Sequence, residues 1–180
     1  MYTKYDQWLN EAKLESFNTK EEIEAWLDLM GIKNYTINED LTVDVKGNVQ
    51  LSRKGLTSIP VQFGTIAGDF KCPYNKITSL QGSPKEVKGD FYCAFNKLAN
   101  LDGCPKEVKG NFFCNDNKLT SLEGSPKEVG GGFDCVGNDL TSLQGGPNKV
   151  GVDFYCSENK TMFTEEDVKE FSKVKGTIKV

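Results

Sequence analysis

The chain has 180 residues, a formal net charge of −4 and an isoelectric point near 5.0. This acidic balance argues against a general binder of nucleic acid or anionic membranes, and no stretch approaches the roughly 20 apolar residues that span a bilayer. The polar start MYTKYDQWLNEAKL does not resemble a signal peptide, so we expect a soluble, cytoplasmic protein.

The N-terminal region predicts helices. Thr19 and Glu22 have the spacing of a capping box, and apolar residues recur at helical intervals over 23–30. Gly31 follows and is typical of a helix end. An earlier amphipathic stretch over 5–12 predicts a further helix.

Alternating apolar residues then predict a hairpin. Leu41, Val43 and Val45 alternate with polar residues, 46–48 has the composition of a turn, and Val49 continues the alternation. We therefore expect a hairpin that leads into the repeats. Residues 1–46 are predicted to form an N-terminal helical and hairpin cap.

A block of 21 residues then recurs without insertion or deletion, within a repeat region predicted over 47–160. The full copies are 68–88, 89–109, 110–130 and 131–151, preceded by a degenerate copy at 47–67 and followed by a partial copy that begins at Val152. Three slots hold one residue type in five copies: Phe70, Phe91, Phe112, Phe133 and Phe154; Cys72, Cys93, Cys114, Cys135 and Cys156; Asn75, Asn96, Asn117, Asn138 and Asn159. A period of this length indicates stacked units that bury their apolar edges against their neighbours.

Each copy reads as one coil of a solenoid. Phe91 and Cys93 alternate with period two, which predicts a short strand with both side chains inward. Asn96 is placed to bond backbone groups at the following corner, and Pro105 keeps the return segment extended. The glycine before the strand, such as Gly89, suggests unusual backbone dihedrals. Seven parallel strands are expected, starting near 48, 69, 90, 111, 132, 153 and 177.

The C-terminal region, 161–180, predicts a helix and a final strand. Thr164 and Asp167 form a second capping box, with a hydrophobic staple on either side, and a helix to about Lys173 is expected to lid the last coil. Residues 174–180 repeat the pattern of 87–93, which places Ile178 in the phenylalanine slot.

The frame Phe-x-Cys-x-x-Asn-x-Leu-x-x-Leu resembles the leucine-rich repeat. The Pro-bearing return over 119–129 is similar to the bacterial type, and the copies resemble the Cys-Asn-Lys-rich repeats of small bacteriophage and bacterial proteins. The resemblance implies an α/β fold: a leucine-rich-repeat solenoid of about seven short parallel strands, an extended convex side, an N-terminal helical and hairpin cap and a C-terminal helix cap. It also implies an intracellular effector, in the cytoplasm of a bacterial host cell, that binds or sequesters a host defence protein.

Candidate binding residues are those that vary between copies and face outward on the concave sheet. The residue between Phe and Cys and its neighbours predict an aromatic surface flanked by charged groups. The predicted contact residues are Lys71, Tyr74, Asp90, Tyr92, Phe95, Phe113, Asp134, Asp153 and Tyr155. Asp69 and Asp90 would lie about 4.8 Å apart on adjacent strands, an unfavourable pair that a basic partner would relieve.

No pattern in the sequence indicates catalysis. The chain has no histidine, and it carries no phosphate-binding glycine loop or nucleophile elbow. The six cysteines are expected to be reduced, five as small buried hydrophobes, with no metal and no cofactor. The sequence predicts a non-enzymatic module that binds a protein with a basic or apolar patch.

Two alternatives to protein binding remain at this point. One is single-stranded nucleic acid along a lysine column, with Tyr74 and Phe95 stacking on bases, although the acidic charge makes nucleic acid unfavourable. The other is a self-assembling structural protein that uses the edges beyond its terminal coils. The column consists of Lys76, Lys97, Lys118 and Lys160. The oligomeric state stays open.

Overall fold

Strict periodicity places equivalent residues of successive copies side by side, and the chain accordingly winds into a parallel β-solenoid of about seven turns. The computed structural model describes residues 17–180. The elements in chain order are α1 (Lys20–Met30), β1 (Tyr35–Ile37), β2 (Val43–Val45), β3 (Val49–Gln50), β4 (Phe63–Ile66), β5 (Phe70–Lys71), β6 (Glu86–Val87), β7 (Phe91–Tyr92), β8 (Glu107–Val108), β9 (Phe112–Phe113), β10 (Glu128–Val129), β11 (Phe133–Asp134), β12 (Lys149–Val150), β13 (Phe154–Tyr155), α2 (Glu165–Phe171), β14 (Lys173–Val174) and β15 (Ile178–Lys179).

The seven predicted strands are confirmed and form one sheet, sheet B. Its order is β15-β13-β11-β9-β7-β5-β3, and every pair in it is parallel. The pairing keeps the 21-residue register, so that Phe91 pairs with Phe112 and Tyr92 pairs with Phe113. Repeat slots therefore become columns that run along the solenoid.

A second sheet, sheet A, lies on the return side of each coil. Its eight strands have the order β1-β2-β4-β6-β8-β10-β12-β14, and all pairs are parallel except β1 with β2. The prediction of an extended, non-helical return is confirmed. Its pairing into a sheet was not predicted, because each return strand within the full copies contributes only two residues, as in Glu107–Val108, too few to show an alternating pattern.

The phenylalanine column forms the centre of the core. Phe91, Phe112 and their equivalents are at most 1% exposed. The Phe91 and Phe112 rings stack with centroids 5.2 Å apart and planes 7° apart, and the Phe112 and Phe133 rings do the same at 5.4 Å. Offset aromatic pairs of this kind add about 0.5–1.5 kcal/mol beyond the area that they bury.

The asparagine column satisfies backbone groups at the corner, as predicted. Asn117 donates from Nδ2 to the carbonyls of Cys93 and Cys114, both at 3.1 Å, and its Oδ1 accepts the Leu98 N–H at 3.0 Å. Each amide therefore ties its own coil to the preceding one. The same arrangement recurs at Asn75, Asn96, Asn138 and Asn159.

The expected reason for the glycines before the strands is wrong. Positive φ angles occur at other glycines, such as Gly103 (φ 90°), and not at Gly89 or Gly110. At Gly110 a Cβ atom would lie 2.3 Å from the Asp90 Oδ1 atom and 2.7 Å from the Gly89 carbonyl carbon. Close approach of adjacent coils, rather than an unusual dihedral, therefore requires glycine there.

Helix α1 forms where the capping box predicts it. The Thr19 side chain accepts the Glu22 N–H, the Glu22 carboxylate accepts the Thr19 N–H, and Gly31 ends the helix in the left-handed conformation. Trp26 is buried and its ring lies 6.4 Å from that of Phe63, so α1 packs against the first coils. The helix predicted over 5–12 lies outside the described residues.

The predicted hairpin over 41–51 is wrong. Strand β2 pairs with β1 and β4 in sheet A, whereas β3 pairs with β5 in sheet B. Residues 46–48 therefore form a corner between the two sheets. Alternation alone does not distinguish a hairpin turn from a solenoid corner, since both join two short strands through polar residues.

The C-terminal elements follow the prediction closely. Thr164 and Asp167 form the second capping box, and Val168 is fully buried. Helix α2 ends at Phe171, before the expected Lys173, because Ser172 is extended and Lys173 already belongs to β14. Ile178 pairs with Phe154, which confirms the final strand. Within residues 17–180, neither helix has the length and apolar character to cross a bilayer.

Candidate functional site

The outward side of sheet B presents one column of variable residues, here called the outer column. In-register pairing sets these residues side by side, about 4.8 Å apart between neighbouring strands. They are Gln50, Lys71, Tyr92, Phe113, Asp134, Tyr155 and Lys179, in that order along the solenoid. The five central members are half-buried, in contrast to the buried phenylalanine next to each.

The structure brings the predicted aromatic residues together as two stacked pairs rather than as one surface. Tyr92 and Phe113 stack in the outer column with centroids 4.4 Å apart and planes 15° apart. Tyr74 and Phe95 stack at 4.3 Å and 6°. Tyr155 belongs to neither pair, because Asp134 lies between it and Phe113 in the strand order.

Tyr74 and Phe95 belong to a second column, the corner column, whose backbone is strained. Its members are Arg53, Tyr74, Phe95, Asp116, Gly137 and Glu158, and each has a φ angle between 53° and 65°. A residue with a Cβ atom pays about 1–2 kcal/mol for this left-handed conformation, which costs glycine little. Aromatic residues are therefore unfavourable choices for backbone stability at this corner.

Arg53 extends the corner column and was missed by the sequence analysis. Its guanidinium carbon lies 4.0 Å from the centroid of the Tyr74 ring, within cation–π distance. Tyr74 and Phe95 are 44% and 38% exposed, so the stack that Arg53 covers at one end stays open to solvent along its sides. Arg53 could have been found from its position, 21 residues before Tyr74, but the first copy of the repeat is too degenerate to make that position obvious.

The predicted contact residues Asp90 and Asp153 have internal partners. Asp90 Oδ1 accepts the Asn111 N–H at 2.7 Å, and Asp153 Oδ1 accepts the Thr177 N–H at 2.7 Å. Their second oxygens accept the hydroxyls of Tyr92 and Tyr155. These carboxylates therefore stabilise the corner between coils, and the hydrogen bond from the Thr177 N–H lowers the pKa of Asp153.

The expected repulsion between Asp69 and Asp90 is relieved within the chain. Asp69 Oδ1 accepts the Asp90 N–H at 2.9 Å, and Asp69 Oδ2 pairs with the Lys71 ammonium at 2.9 Å. Both contacts lower the pKa of Asp69, the Asp90 N–H more than the Lys71 ammonium. Lys71 also lies 4.9 Å from the Tyr92 ring centroid. No external basic group is needed to stabilise this pair.

Asp134 differs from Asp69, Asp90 and Asp153 because, within residues 17–180, its carboxylate accepts no hydrogen bond from the next coil. Its Oδ1 accepts the Val136 N–H at 3.0 Å, and no lysine or arginine of residues 17–180 forms an ion pair with it. Burial raises the pKa of Asp134; the Val136 N–H opposes this rise and the charge of Asp116 adds to it. The ionised form of the Asp134 carboxylate is therefore less stable in the folded protein than in water.

We expect Asp134→Asn to increase the free energy of unfolding at pH 7. A carboxyl group with a higher pKa in the folded state stabilises fully below its unfolded pKa, about 3.9, and loses that stability as pH rises through the folded pKa. Asparagine removes the charge and keeps an oxygen for the Val136 N–H, so its advantage should vanish as pH falls towards about 3. Urea denaturation at both pH values measures this.

The matched control for that comparison is Asp102→Asn, which neutralises an exposed aspartate of a return segment. It should leave stability nearly unchanged at both pH values. A variant Asp134→Asn that is less stable than the parent at pH 7 would contradict the assignment of an unfavourable charge.

The cysteine column is part of the core. The five repeat cysteines are at most 1% exposed, and burial raises the pKa of the Cys72 thiol to about 12. The Cys72 and Cys93 thiols donate to backbone carbonyls of the next coil, those of Tyr92 and Phe113. All six cysteines are free thiols, and the described part of the chain contains no cluster of three or more residues placed to hold a metal ion.

The lysine column of the alternative function is exposed and only partly paired. The Lys160 ammonium lies 3.3 Å from the Asp139 Oδ1 atom. Within residues 17–180, the other three lysines form no ion pair: Lys76, Lys97 and Lys118. Each of these lysines follows a corner-column residue by two positions. Lys76 and Lys97 therefore follow Tyr74 and Phe95 closely in sequence, and Lys118 follows Asp116, the next member of the corner column.

Comparison with known proteins does not assign a family. No protein-family model, curated protein or solved structure matches the chain. The roles of the residues described above therefore rest on their contacts in this structure alone.

Proposed function

We propose that this protein is a non-enzymatic binding module that contacts a partner protein through the outer and corner columns of sheet B. The observation that carries the proposal is the exposed Tyr74–Phe95 stack on a strained backbone. Residues held in unfavourable backbone conformations concentrate at functional sites, where the strain is retained for another purpose.

Stability does not require aromatic side chains at this corner. Gly137 occupies the same slot with no Cβ strain, and Asp116 and Glu158 fill it with polar groups. Stacking returns about 0.5–1.5 kcal/mol, which offsets only part of the strain of two left-handed residues at about 1–2 kcal/mol each. Exposed, rigid aromatic side chains are the usual anchors of protein interfaces, so binding accounts for their presence.

The chemistry of the two columns indicates the kind of partner. The aromatic pairs favour an apolar patch, and Asp116, Asp134 and Glu158 favour basic groups at the C-terminal half of the face. Within the chain, Arg53 already contacts the Tyr74 ring, and Lys71 contacts both the Tyr92 ring and Asp69. The N-terminal half of the face therefore offers less free charge to a partner. The partner proposed is a protein with adjacent apolar and basic patches.

The double variant Tyr74→Asn/Phe95→Asn tests this proposal. Asparagine tolerates the left-handed conformation, so the backbone should keep its geometry while the aromatic stack is removed. The tagged full chain is used as bait in a bacterial lysate, and captured proteins are identified by mass spectrometry. We expect the variant to lose its specific partner, with affinity reduced at least tenfold, as for hot-spot aromatics.

A matched control removes an apolar side chain of equal exposure elsewhere. Leu29 is 38% exposed on α1, the same fraction as Phe95, and Leu29→Gln should retain the partner. Retention of every specific partner by Tyr74→Asn/Phe95→Asn, by Tyr92→Ala/Phe113→Ala and by Tyr155→Ala would show that these columns are not the contact surface.

Lys76, Lys97 and Lys118, which form no ion pair within residues 17–180, each follow a corner-column residue by two positions. They favour a second candidate, single-stranded nucleic acid. Bases would stack on Tyr74 and Phe95 while Lys76, Lys97 and Lys118 contact phosphates. This function predicts retention of a single-stranded oligonucleotide with a steep salt dependence. Absence of binding at low salt would exclude it, and the same double variant would then be tested against protein partners alone.

Resemblance to leucine-rich repeats of phage and bacterial proteins supports a narrower proposal. The partner would be a host defence factor, bound or sequestered in the cytoplasm of a bacterial cell. This step rests on the repeat frame of the sequence and not on the geometry of the site, since fold alone does not determine function.

A further inference from the structure

Asp134 occupies a distinctive position in the outer column. Its strand neighbours in register are Phe113 on one side and Tyr155 on the other, about 4.8 Å away in each direction. All three side chains are half-buried and point away from the core phenylalanines. A partly desolvated carboxylate thus lies between two aromatic rings on the open face of the sheet.

Positive groups of the chain pair with the outer column on either side of this position. The Lys71 ammonium lies 4.9 Å from the Tyr92 ring centroid, and the Lys179 ammonium lies 5.1 Å from that of Tyr155. Between them, no positive group of residues 17–180 forms an ion pair with Asp134 or a cation–π contact with Phe113. The column therefore repeats a cation-aromatic pattern with its central cation missing from this part of the chain.

We propose that Asp134, with Phe113 and Tyr155 beside it, is the recognition site for an arginine side chain of the partner protein. This inference rests on the protein-binding function proposed above. It identifies the chemical group of the partner that sheet B binds. A guanidinium placed there would pair with the carboxylate and lie against an aromatic ring, as Arg53 lies on Tyr74 within the chain.

Arginine fits this site better than lysine. The guanidinium group is planar and more weakly hydrated than an ammonium, stacks on aromatic faces and bonds a carboxylate through two parallel N–H groups. One Asp134 oxygen already accepts the Val136 N–H but retains acceptor capacity, and the other oxygen has no partner within residues 17–180. An arginine would compensate a charge that no cation of residues 17–180 pairs with and that burial makes unfavourable in the folded state.

The test uses the isotope-labelled full chain and three short peptides. The probes are acetyl-Gly-Arg-Gly-amide, its lysine analogue and its citrulline analogue, which has the shape of arginine without the charge. We expect the arginine peptide to produce saturable NMR shifts at the amides of Phe113, Asp134 and Tyr155. Citrulline should produce none, and lysine should bind more weakly than arginine.

Two variants make the result specific to this carboxylate. Asp134→Asn should weaken arginine-peptide binding at least tenfold, and Asp102→Asn should leave it unchanged. Equal binding of the citrulline or lysine peptide, retained binding by Asp134→Asn, or shifts that map elsewhere would each overturn the arginine site.

Partner capture separates failure of this inference from failure of the proposed function. If Tyr74→Asn/Phe95→Asn loses the partner and Asp134→Asn retains it fully, protein binding stands and the arginine site is wrong. If Asp134→Asn, Tyr74→Asn/Phe95→Asn, Tyr92→Ala/Phe113→Ala and Tyr155→Ala all leave capture intact, the proposed function is wrong as well. Loss of capture with Asp134→Asn, together with its peptide defect, supports both.

Discussion

Replacing Phe112 with alanine is expected to reduce the free energy of unfolding by about 3–5 kcal/mol, as phenylalanine-to-alanine changes in close-packed cores do. Phe112 is fully buried, and its ring stacks on both Phe91 and Phe133. The substitution leaves a cavity at the centre of the solenoid and removes two ring contacts. Urea denaturation followed by circular dichroism measures the loss.

The adjacent residue provides the control. Phe113 has the same side chain in the same strand, but it points outward and is half-buried, with one stacking partner, Tyr92. Phe113→Ala should cost only about 1 kcal/mol, since it loses one stack and leaves no internal cavity. Equal destabilisation by the two substitutions would contradict the inward and outward assignment of sheet B.

Asn138→Ala is expected to destabilise the protein by a similar amount, about 3–4 kcal/mol. The buried amide donates to the carbonyls of Cys114 and Cys135 and accepts the Leu119 N–H, each at 3.1 Å. Alanine leaves these backbone groups without a partner, and each buried unsatisfied group costs about 1–3 kcal/mol. Thermal and urea unfolding of the variant give the loss directly.

Asn148→Ala serves as the matched control for this substitution. Asn148 is exposed, and its backbone hydrogen bonds to Lys127 and Lys173 do not involve the side chain, so we expect a change within about 0.5 kcal/mol. A loss below about 1 kcal/mol for Asn138→Ala would show that the asparagine column does not stabilise the corner as its hydrogen bonds indicate.

The repeat allowed the main features of the fold to be predicted. Constant spacing of the phenylalanine, cysteine and asparagine slots predicted seven parallel strands, and residues 174–180 predicted the last of them. Both helix starts followed from their capping boxes at Thr19 and Thr164, which are local and visible in four residues. That these helices serve as caps, and the boundaries after 46 and 160, stay predictions.

Where the prediction was wrong or incomplete, the missing information was long-range. Strand β2 pairs with β4 and not with β3, and no local pattern reports which strand a short segment will meet. The two-residue return strands β8 and β10 also form a sheet only because stacking aligns them. Gly110 is required because Asp90 and the Gly89 backbone of the preceding coil, about one repeat earlier in sequence, approach it closely.

The candidate site, like the fold, could be predicted from the sequence only in part. Sequence alone predicted which residues face outward, since a strand alternates its side chains and the register is strict. It could not separate Asp90 and Asp153, whose carboxylates bond the next coil, from Asp134, whose carboxylate makes no such bond within residues 17–180.

Periodicity by itself determined the solenoid and its columns, because identical spacing forces equivalent residues to stack. Only the tertiary structure decided which charges are compensated and which aromatic residues sit on strained backbone. Those properties depend on the distance to the neighbouring coil and on the φ angle at each corner. Neither quantity can be predicted from the residue type alone. Two such properties are the charge of Asp134, which pairs with no cation of residues 17–180, and the exposed Tyr74–Phe95 stack, on which the proposed binding depends.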